Sequence, residues 1–361
     1  MTTNRPVIAV LFGGRSSEHE ISCLSAAAVM AHIDSAAYQV IPVGITRDGV
    51  WWVYRGDVAH VADGTWEQQT QYLQPAVVSP CTVHHGLLLL DKARQSYQAC
   101  RVDCFFPVMH GENSEDGRLQ GLLEASGVPY VGCRTCSSAL TMDKAFTKRV
   151  LEQAGIAQAA WMQVDPFGED SVARVEAAFS YPVFVKPANA GSSKGISRAC
   201  NARELKSALA LAATIDPKVI VEEAVVGKEI EVALLQEWHQ GKARTLATVC
   251  GQICADREFY SYESKYQSQA SYCRIPADLE SEVAREVVQT ALRVFELLDC
   301  RGLSRADFFV TQEGKVIFNE INTMPGFTAI SMYPKLWEHQ GLSFTQLVSR
   351  LLEFALKEGS V

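Results

Sequence analysis

The chain has 361 residues, 48% of them hydrophobic and 20% charged, and a net charge of −8. That length suits two or three domains, and an acidic balance without any lysine–arginine cluster argues against nucleic acid or an anionic membrane as partner. No apolar run approaches the ~18 residues that span a bilayer, and the opening Met-Thr-Thr-Asn-Arg-Pro lacks the apolar core of an export signal. In chain order, Pro6 to Phe12 reads as an apolar strand, Gly13-Gly14 as a turn, and Ile21 to Ile33 as an alanine-rich amphipathic helix. Strands follow at Tyr38 to Ile45 and at Phe105 to Met109, the latter ending on His110-Gly111. A helix over Leu119 to Ala125 and a short strand at Pro129 to Gly132 come next. This alternation predicts an open parallel sheet, in which ligands sit beyond the carboxyl ends of strands, where Glu18 and His110 both fall. A helix from Met142 to Gln153 leads into a second segment with a strand ending on Lys186, a small-residue loop over Ala188 to Gly195, a helix at Ala202 to Ala213 and a strand at Val219 to Glu223. The third segment starts near Gly227. It holds strands at Glu229 to Leu235 and Leu246 to Ile253, a polar loop from Glu258 to Tyr272, a helix at Leu279 to Leu298, a hairpin over Ser304 to Asn322 and a last helix at Phe344 to Leu356.

The hairpin carries the most chemistry. Its turn is expected at Glu313-Gly314, flanked by apolar, β-favouring runs. A two-residue loop there sets Asp307 opposite Glu320 and Arg305 opposite Asn322. Residues two apart on a strand share a face, so all four groups project together. Two carboxylates and an amide oxygen on one rigid surface form a hard-oxygen site suited to Mg²⁺, with a cation beside it. The plainer alternative is a solvated face on which Arg305 serves as counter-ion.

Other motifs are individually weaker. Gly191-Ser-Ser-Lys-Gly195 is a loop whose backbone N–H groups and hydroxyls suit phosphate oxygens, or an ordinary turn. Lys144 and Lys186 matter only as its cationic partners. Glu18, between a strand and a helix start, either grips a substrate ammonium or favours the helix dipole, a role that Glu20 fits better. His110 reads equally well as a core histidine. Lys265-Tyr266 lies in the long tyrosine-rich loop, which suits a lid. The eleven cysteines, odd in number and scattered, read as reduced thiols of a cytoplasmic protein. Cys133 and Cys136 form a CxxC without the second pair a zinc ribbon needs.

In this order and spacing, the segments Leu11-Phe-Gly-Gly-Arg-Ser-Ser-Glu-His-Glu, His110-Gly, Met142-Asp-Lys, Phe184-Val-Lys-Pro, Tyr262-Glu-Ser-Lys-Tyr, Ser304-Arg-Ala-Asp and Asn319-Glu-Ile-Asn resemble the D-alanine–D-alanine ligases of the ATP-grasp superfamily over essentially the whole chain. The resemblance implies a three-domain fold of α/β and α+β character: an N-terminal Rossmann-like domain at 1–140, a central subdomain at 141–226 and a C-terminal subdomain at 227–361. It implies ATP with two Mg²⁺ or Mn²⁺ ions as cofactors and D-alanine as substrate, with D-serine, or less readily D-lactate, as the alternative second substrate. Lys144, Lys186, Ser192, Ser193 and Lys265 would touch the phosphates, Glu222, Glu223, Ala224 and Val225 the adenine, and Glu229 the ribose. Asp307, Glu320 and Asn322 would hold the metal ions. Glu18 and His110 would meet the first substrate, and Ser331 and Met332 the second substrate's carboxylate. Arg305 and the Gly326 N–H would stabilise the oxyanion, and a Glu18–Ser192–Tyr266 chain would link the first domain to the lid. A homodimer would fit the family. Two positions depart from the pattern: Ser114 replaces a glycine, and Lys194 an apolar residue. An idle ATP-binding regulator, or an ATP-grasp enzyme acting on another carboxylate, is the remaining alternative.

Overall fold

The computed structural model describes residues 5–191, 193–254 and 272–359. Ser192, Lys265 and Tyr266 lie outside the described residues, so the lid and the Glu18–Ser192–Tyr266 chain do as well.

Seven strands form the first sheet: β1 (Val7–Gly13), β2 (Gln39–Ile45), β3 (Trp51–Tyr54), β4 (Leu73–Val78), β5 (Gly86–Asp91), β6 (Ser96–Arg101) and β7 (Cys104–Pro107), in the order β6-β5-β4-β3-β2-β1-β7. Its centre is parallel, β1 pairing with both β2 and β7. Beyond β2 every pairing is antiparallel, which the alternation of strands and helices did not foretell. For three of these four pairings the reason is connection length. Helix His19–His32 supplies the crossover that parallel β1 and β2 need, whereas the links at 46–50, 79–85 and 92–95 are too short for one.

The second sheet is antiparallel, β8 (Trp161–Val164), β9 (Val183–Pro187), β10 (Ser197–Ala199) and β11 (Val219–Glu223) running in the order β10-β9-β11-β8. The third contains β12 (Lys228–His239), β13 (Lys242–Ala247), β14 (Gly251–Cys254), β15 (Tyr272–Arg274), β16 (Leu303–Val310) and β17 (Val316–Asn322). Its order is β15-β14-β12-β16-β17, with β13 on β12. Two expected elements differ, one split and one starting later. The strand expected over Leu246 to Ile253 breaks into β13 and β14 at Thr248, whose N–H and hydroxyl oxygen both bond Ala233 of β12, at 3.0 Å each. The helix expected from Met142 begins instead at Lys144, because Asp143 caps it by accepting the Phe146 N–H at 3.0 Å.

Register in the β16–β17 hairpin differs from a simple two-residue turn. Thr311 and Lys315 close a three-residue loop in which Gly314 takes φ +81°, a conformation that favours glycine. Near the turn Phe308 therefore pairs with Phe318. A bulge beyond Phe318 then shifts the ladder, so that Asp307 faces Glu320 and Arg305 faces Asn322. The expected pairs are present, but they arise from a longer loop and a compensating extra residue. The bulge also solves a facing problem. Val316, Phe318 and Ile321 all enter the apolar core with Ile230, Val232, Ala306 and Phe308 beneath helix Ser281–Leu297, while Glu320 and Asn322 take the opposite face.

Helices Met332–His339 and Phe344–Glu358 pack one core jointly with the first sheet: Ile8, Val10 and Phe106 share a cluster with Leu303, Leu336 and Leu351. The second sheet keeps its own core around Val185, Leu205 and Val221.

Candidate active site

On the exposed side of the third sheet, residues 229 and 231 of β12, 305 and 307 of β16, and 320 and 322 of β17 share one face. Two cavities open onto it. One is lined by Glu18, His110, Lys144, Arg305, Asn322 and Gly326, together with Ser331 and Met332. The other is lined by Lys186, Ser193, the Glu222–Val225 stretch, Glu229 and Asp307. Glu231 and Glu320 line both, so the cavities meet on the polar face of the hairpin. Every described candidate from the sequence lies on one cavity or the other.

At one end, Glu18 starts helix His19–His32 yet its side chain makes no capping hydrogen bond. The carboxylate is buried and close to glycines on two elements: a Cβ on Gly111 would come within 2.6 Å of its Oε2, and one on Gly191 within 3.2 Å. Glu20 instead pairs on the surface with Arg47, in the plain helix-start region. His110 is buried, its Nδ1 3.1 Å from the Met324 carbonyl and its Nε2 3.2 Å from Ser25 Oγ. Burial pushes its pKa down, but the Glu115 carboxylate, whose Oε1 lies 3.9 Å from Nδ1, outweighs this and holds it above the usual histidine value. Glu115 is itself pushed up, by burial and by the charge of Glu18.

Toward the second cavity, Lys144 Nζ donates to the Ala190 carbonyl at 2.6 Å, which ties it to the small-residue loop. Glu222 bonds two lysines, Lys186 at 2.7 Å and Lys148 at 3.1 Å. Burial raises its carboxyl pKa, but the two cations prevail and bring it down to about 2. Burial pulls both Lys144 and Lys148 below the usual lysine value.

Arg305 grips Asp307 with two hydrogen bonds, Nε to Oδ1 at 2.8 Å and Nη2 to Oδ2 at 2.7 Å, and its Nε lies 3.2 Å from Glu231 Oε2. Burial would lower the guanidinium pKa, but Asp307 and Glu231 raise it well above normal. A divalent cation fits the chemistry of this donor set. Asp307 already binds a cationic group with both oxygens, Glu320 stands opposite it, and Asn322 Oδ1, which accepts the Met324 N–H at 2.9 Å, has a second lone pair.

The family models for the D-Ala-D-Ala ligase N-terminus and C-terminus match residues 7–133 and 150–353. The chain belongs to the D-alanine–D-alanine ligase family. A D-alanine–D-alanine ligase from Acetivibrio thermocellus is 43% identical over 97% of this chain and 96% of its own length. One from Caldicellulosiruptor bescii is also 43% identical, over 97% and 95%. Among solved structures, the VanG D-Ala:D-Ser ligase of Enterococcus faecalis has a TM-score of 0.88 at 38% identity, covering 98% of this chain and 100% of that one. The D-alanine–D-alanine ligase of Coxiella burnetii has a TM-score of 0.83 at 30% identity, covering 99% and 96%.

Of the two departures from the family pattern, Ser114 is buried without backbone strain, since the positive φ angles fall on Gly111 and Asn113 instead. Lys194 is exposed and lines neither cavity. Sequence reading passed over four residues of the site: Ser25, Glu115, Lys148 and Glu231. Two of them carried a periodic signal. Lys148 stands one helical turn after Lys144, and Glu231 is two residues after Glu229 on the same strand face. Glu115 meets His110 and the Gly111 N–H within one local turn, whereas Ser25 acquires its partners only through tertiary packing.

Proposed function

We propose that this chain uses ATP to activate the carboxylate of one D-alanine as an acyl phosphate and joins it to the amine of a second. The observation that carries this reading is the meeting of a small cavity, with Glu18 and His110 at one end and Arg305 at the other, with a larger cleft bearing Lys186, at the acidic face of the hairpin. The chain is read as three units, at 1–140, 141–226 and 227–361, with the cleft between the second and third.

Adenine would lie along the backbone of Glu222 to Val225 and the ribose hydroxyls on Glu229. Lys144, Lys186 and the loop around Ser193 would face the phosphates. Asp307, Glu320 and Asn322 would hold divalent cations, Mg²⁺ or Mn²⁺, which supply charge compensation to the phosphoryl oxygens. Glu18 would take the first ammonium, beside His110, and so aim that substrate's carboxylate at the cleft. Arg305 and the Gly326 N–H would stabilise the oxyanion formed when the second amine attacks, about 3–4 kcal/mol for a well-placed donor. Ser331 caps helix Met332–His339 without a side-chain capping bond, and the N–H of Met332 with that hydroxyl would receive the second substrate's carboxylate.

Similarity to the D-Ala:D-Ser ligase favours one second reading, in which D-serine is the second substrate. Mass spectrometry of products formed from ATP, Mg²⁺, D-alanine and competing D-serine decides between them. Predominant D-Ala-D-Ala is expected. Predominant D-Ala-D-Ser keeps the site and changes the specificity, and the absence of any D-alanyl product overturns both readings.

A further inference from the structure

We propose that Glu231 is a positioning residue that retains Arg305 when Asp307 turns to a bound cation, a role resting on the reading of Asp307, Glu320 and Asn322 as metal ligands. Register places three carboxylates in a row across adjacent strands: Glu231 on β12, Asp307 on β16 and Glu320 on β17. In the next row the neighbours of Arg305 are Ala233 and Asn322, neither of which is an anion. Asp307 is therefore shared. Its two oxygens bind Arg305 at 2.8 and 2.7 Å, and the same carboxylate belongs to the donor set facing Glu320.

A carboxylate that gives its syn lone pairs to a divalent cation cannot also keep a bidentate grip on a guanidinium. Arg305 has a side chain only 14% exposed, and leaving a buried guanidinium unpaired is strongly unfavourable. Glu231 is an anion already beside it, with Oε2 3.2 Å from Arg305 Nε and a side chain 11% exposed. Among the described residues no three acidic, histidine or cysteine side chains converge on one ion position. Glu231 thus belongs with the arginine rather than in the metal shell. The planar guanidinium can pivot from two carboxylates to one without leaving the site, and keeps its outer N–H groups aimed into the cavity.

The test is Mn²⁺ binding to the full chain in saturating ADP, followed by electron paramagnetic resonance of the free ion, with no turnover. Glu231→Gln, nearly isosteric, is expected to weaken Mn²⁺ binding about tenfold or more. In an Arg305→Met background the same substitution is expected to change it less than about threefold, because the residue acts through the arginine. Glu237→Gln, on the same strand but paired with Arg350 at 2.9 Å, is the control and leaves binding unchanged. Equal losses in both backgrounds would show Glu231 acting on the ion directly and overturn the proposal. Unchanged binding in Glu231→Gln alongside weakened binding in Asp307→Asn overturns it too and leaves the metal site standing. Unchanged binding in Asp307→Asn removes the metal-site reading and this inference with it. Should Glu231→Gln not fold, Glu231→Ser is read in the same two backgrounds by the same criterion.

Discussion

Glu222 sits between Lys148 and Lys186 with one oxygen engaged by each, and that geometry makes it a stabilising group as well as part of a cleft wall. Its carboxyl drops from 4.5 to about 2 on folding, equivalent to about 3 kcal/mol at neutral pH. A depressed folded pKa contributes stability that is complete above 4.5 and disappears as pH falls through about 2. Glu222→Gln leaves two buried ammonium groups without their carboxylate, and should lower unfolding free energy by about 3–5 kcal/mol at pH 7. The deficit should shrink between pH 4.5 and 2 as the native protein loses the same charge. Urea unfolding at pH 7 and pH 3 measures both values, and a deficit independent of pH would contradict the assignment. Ser25 is a second residue with consequences beyond its own contacts. Its hydroxyl meets His110 Nε2 at 3.2 Å and accepts the Phe327 N–H at 3.4 Å, so it joins the His110 end of the cavity to the peptide after Gly326. Ser25→Ala is expected to reduce kcat/KM for the first D-alanine about tenfold with little effect on KM for ATP. Steady-state kinetics with each substrate varied in turn separate the two, and an equal rise in both KM values would indicate a general loosening instead.

The β16–β17 hairpin defines what the sequence does and does not reveal at the level of an element. The apolar runs around Gly314 and the alternation of Arg305 and Asp307 made its existence and its polar face legible. The loop length was not, because a three-residue loop with an αL glycine and a two-residue loop share the same Glu-Gly signal. The bulge left a trace in the spacing of Val316, Phe318 and Ile321, whose jump of three within a strand cannot keep one face without an extra residue. In the first sheet, strands β3 to β6 passed unread for a different reason: their pairing is local and antiparallel, outside the helix-alternating pattern that announced β1, β2 and β7. The bulge also yields a prediction. Deleting Asn319 makes Glu320 the direct neighbour of Phe318, so regular alternation keeps Phe318 and Ile321 in the core and Glu320 and Asn322 on the opposite face, still across from Asp307 and Arg305. Mn²⁺ binding should therefore survive the deletion to within about tenfold, as it should in Asn319→Ala, which keeps the backbone count. Loss of Mn²⁺ binding in the deletion alone would show that the bulge sets more than the face on which Glu320 and Asn322 lie.

At the level of the whole molecule, the distribution of cores divides the three sheets unequally. The first and third sheets share a single apolar cluster through helices Met332–His339 and Phe344–Glu358, and further contacts reinforce the joint: His110 to the Met324 carbonyl at 3.1 Å and Arg134 to Glu358 at 2.8 Å. The four-stranded sheet has a separate core and meets the site largely through polar groups, among them the Lys144–Ala190 bond and the Lys148–Glu222 pair. Apolar contact sets how cooperatively units open, since a shared core cannot be exposed on one side alone. Amides of β1 and β16 should therefore exchange at one common slow rate, whereas those of β9 and β11 should exchange faster through opening of their own unit. If a non-hydrolysable ATP analogue with Mg²⁺ bridges Lys186 and Asp307 as proposed, it should slow β9 and β11 selectively, because bound ligand adds its free energy only to openings that break the site. Hydrogen exchange followed by mass spectrometry gives all four strands in one experiment. Equal protection in β1 and β9 without nucleotide would mean that polar contacts couple the units as tightly as a common core does, and the cleft would then have to admit ATP without separate movement of the four-stranded sheet.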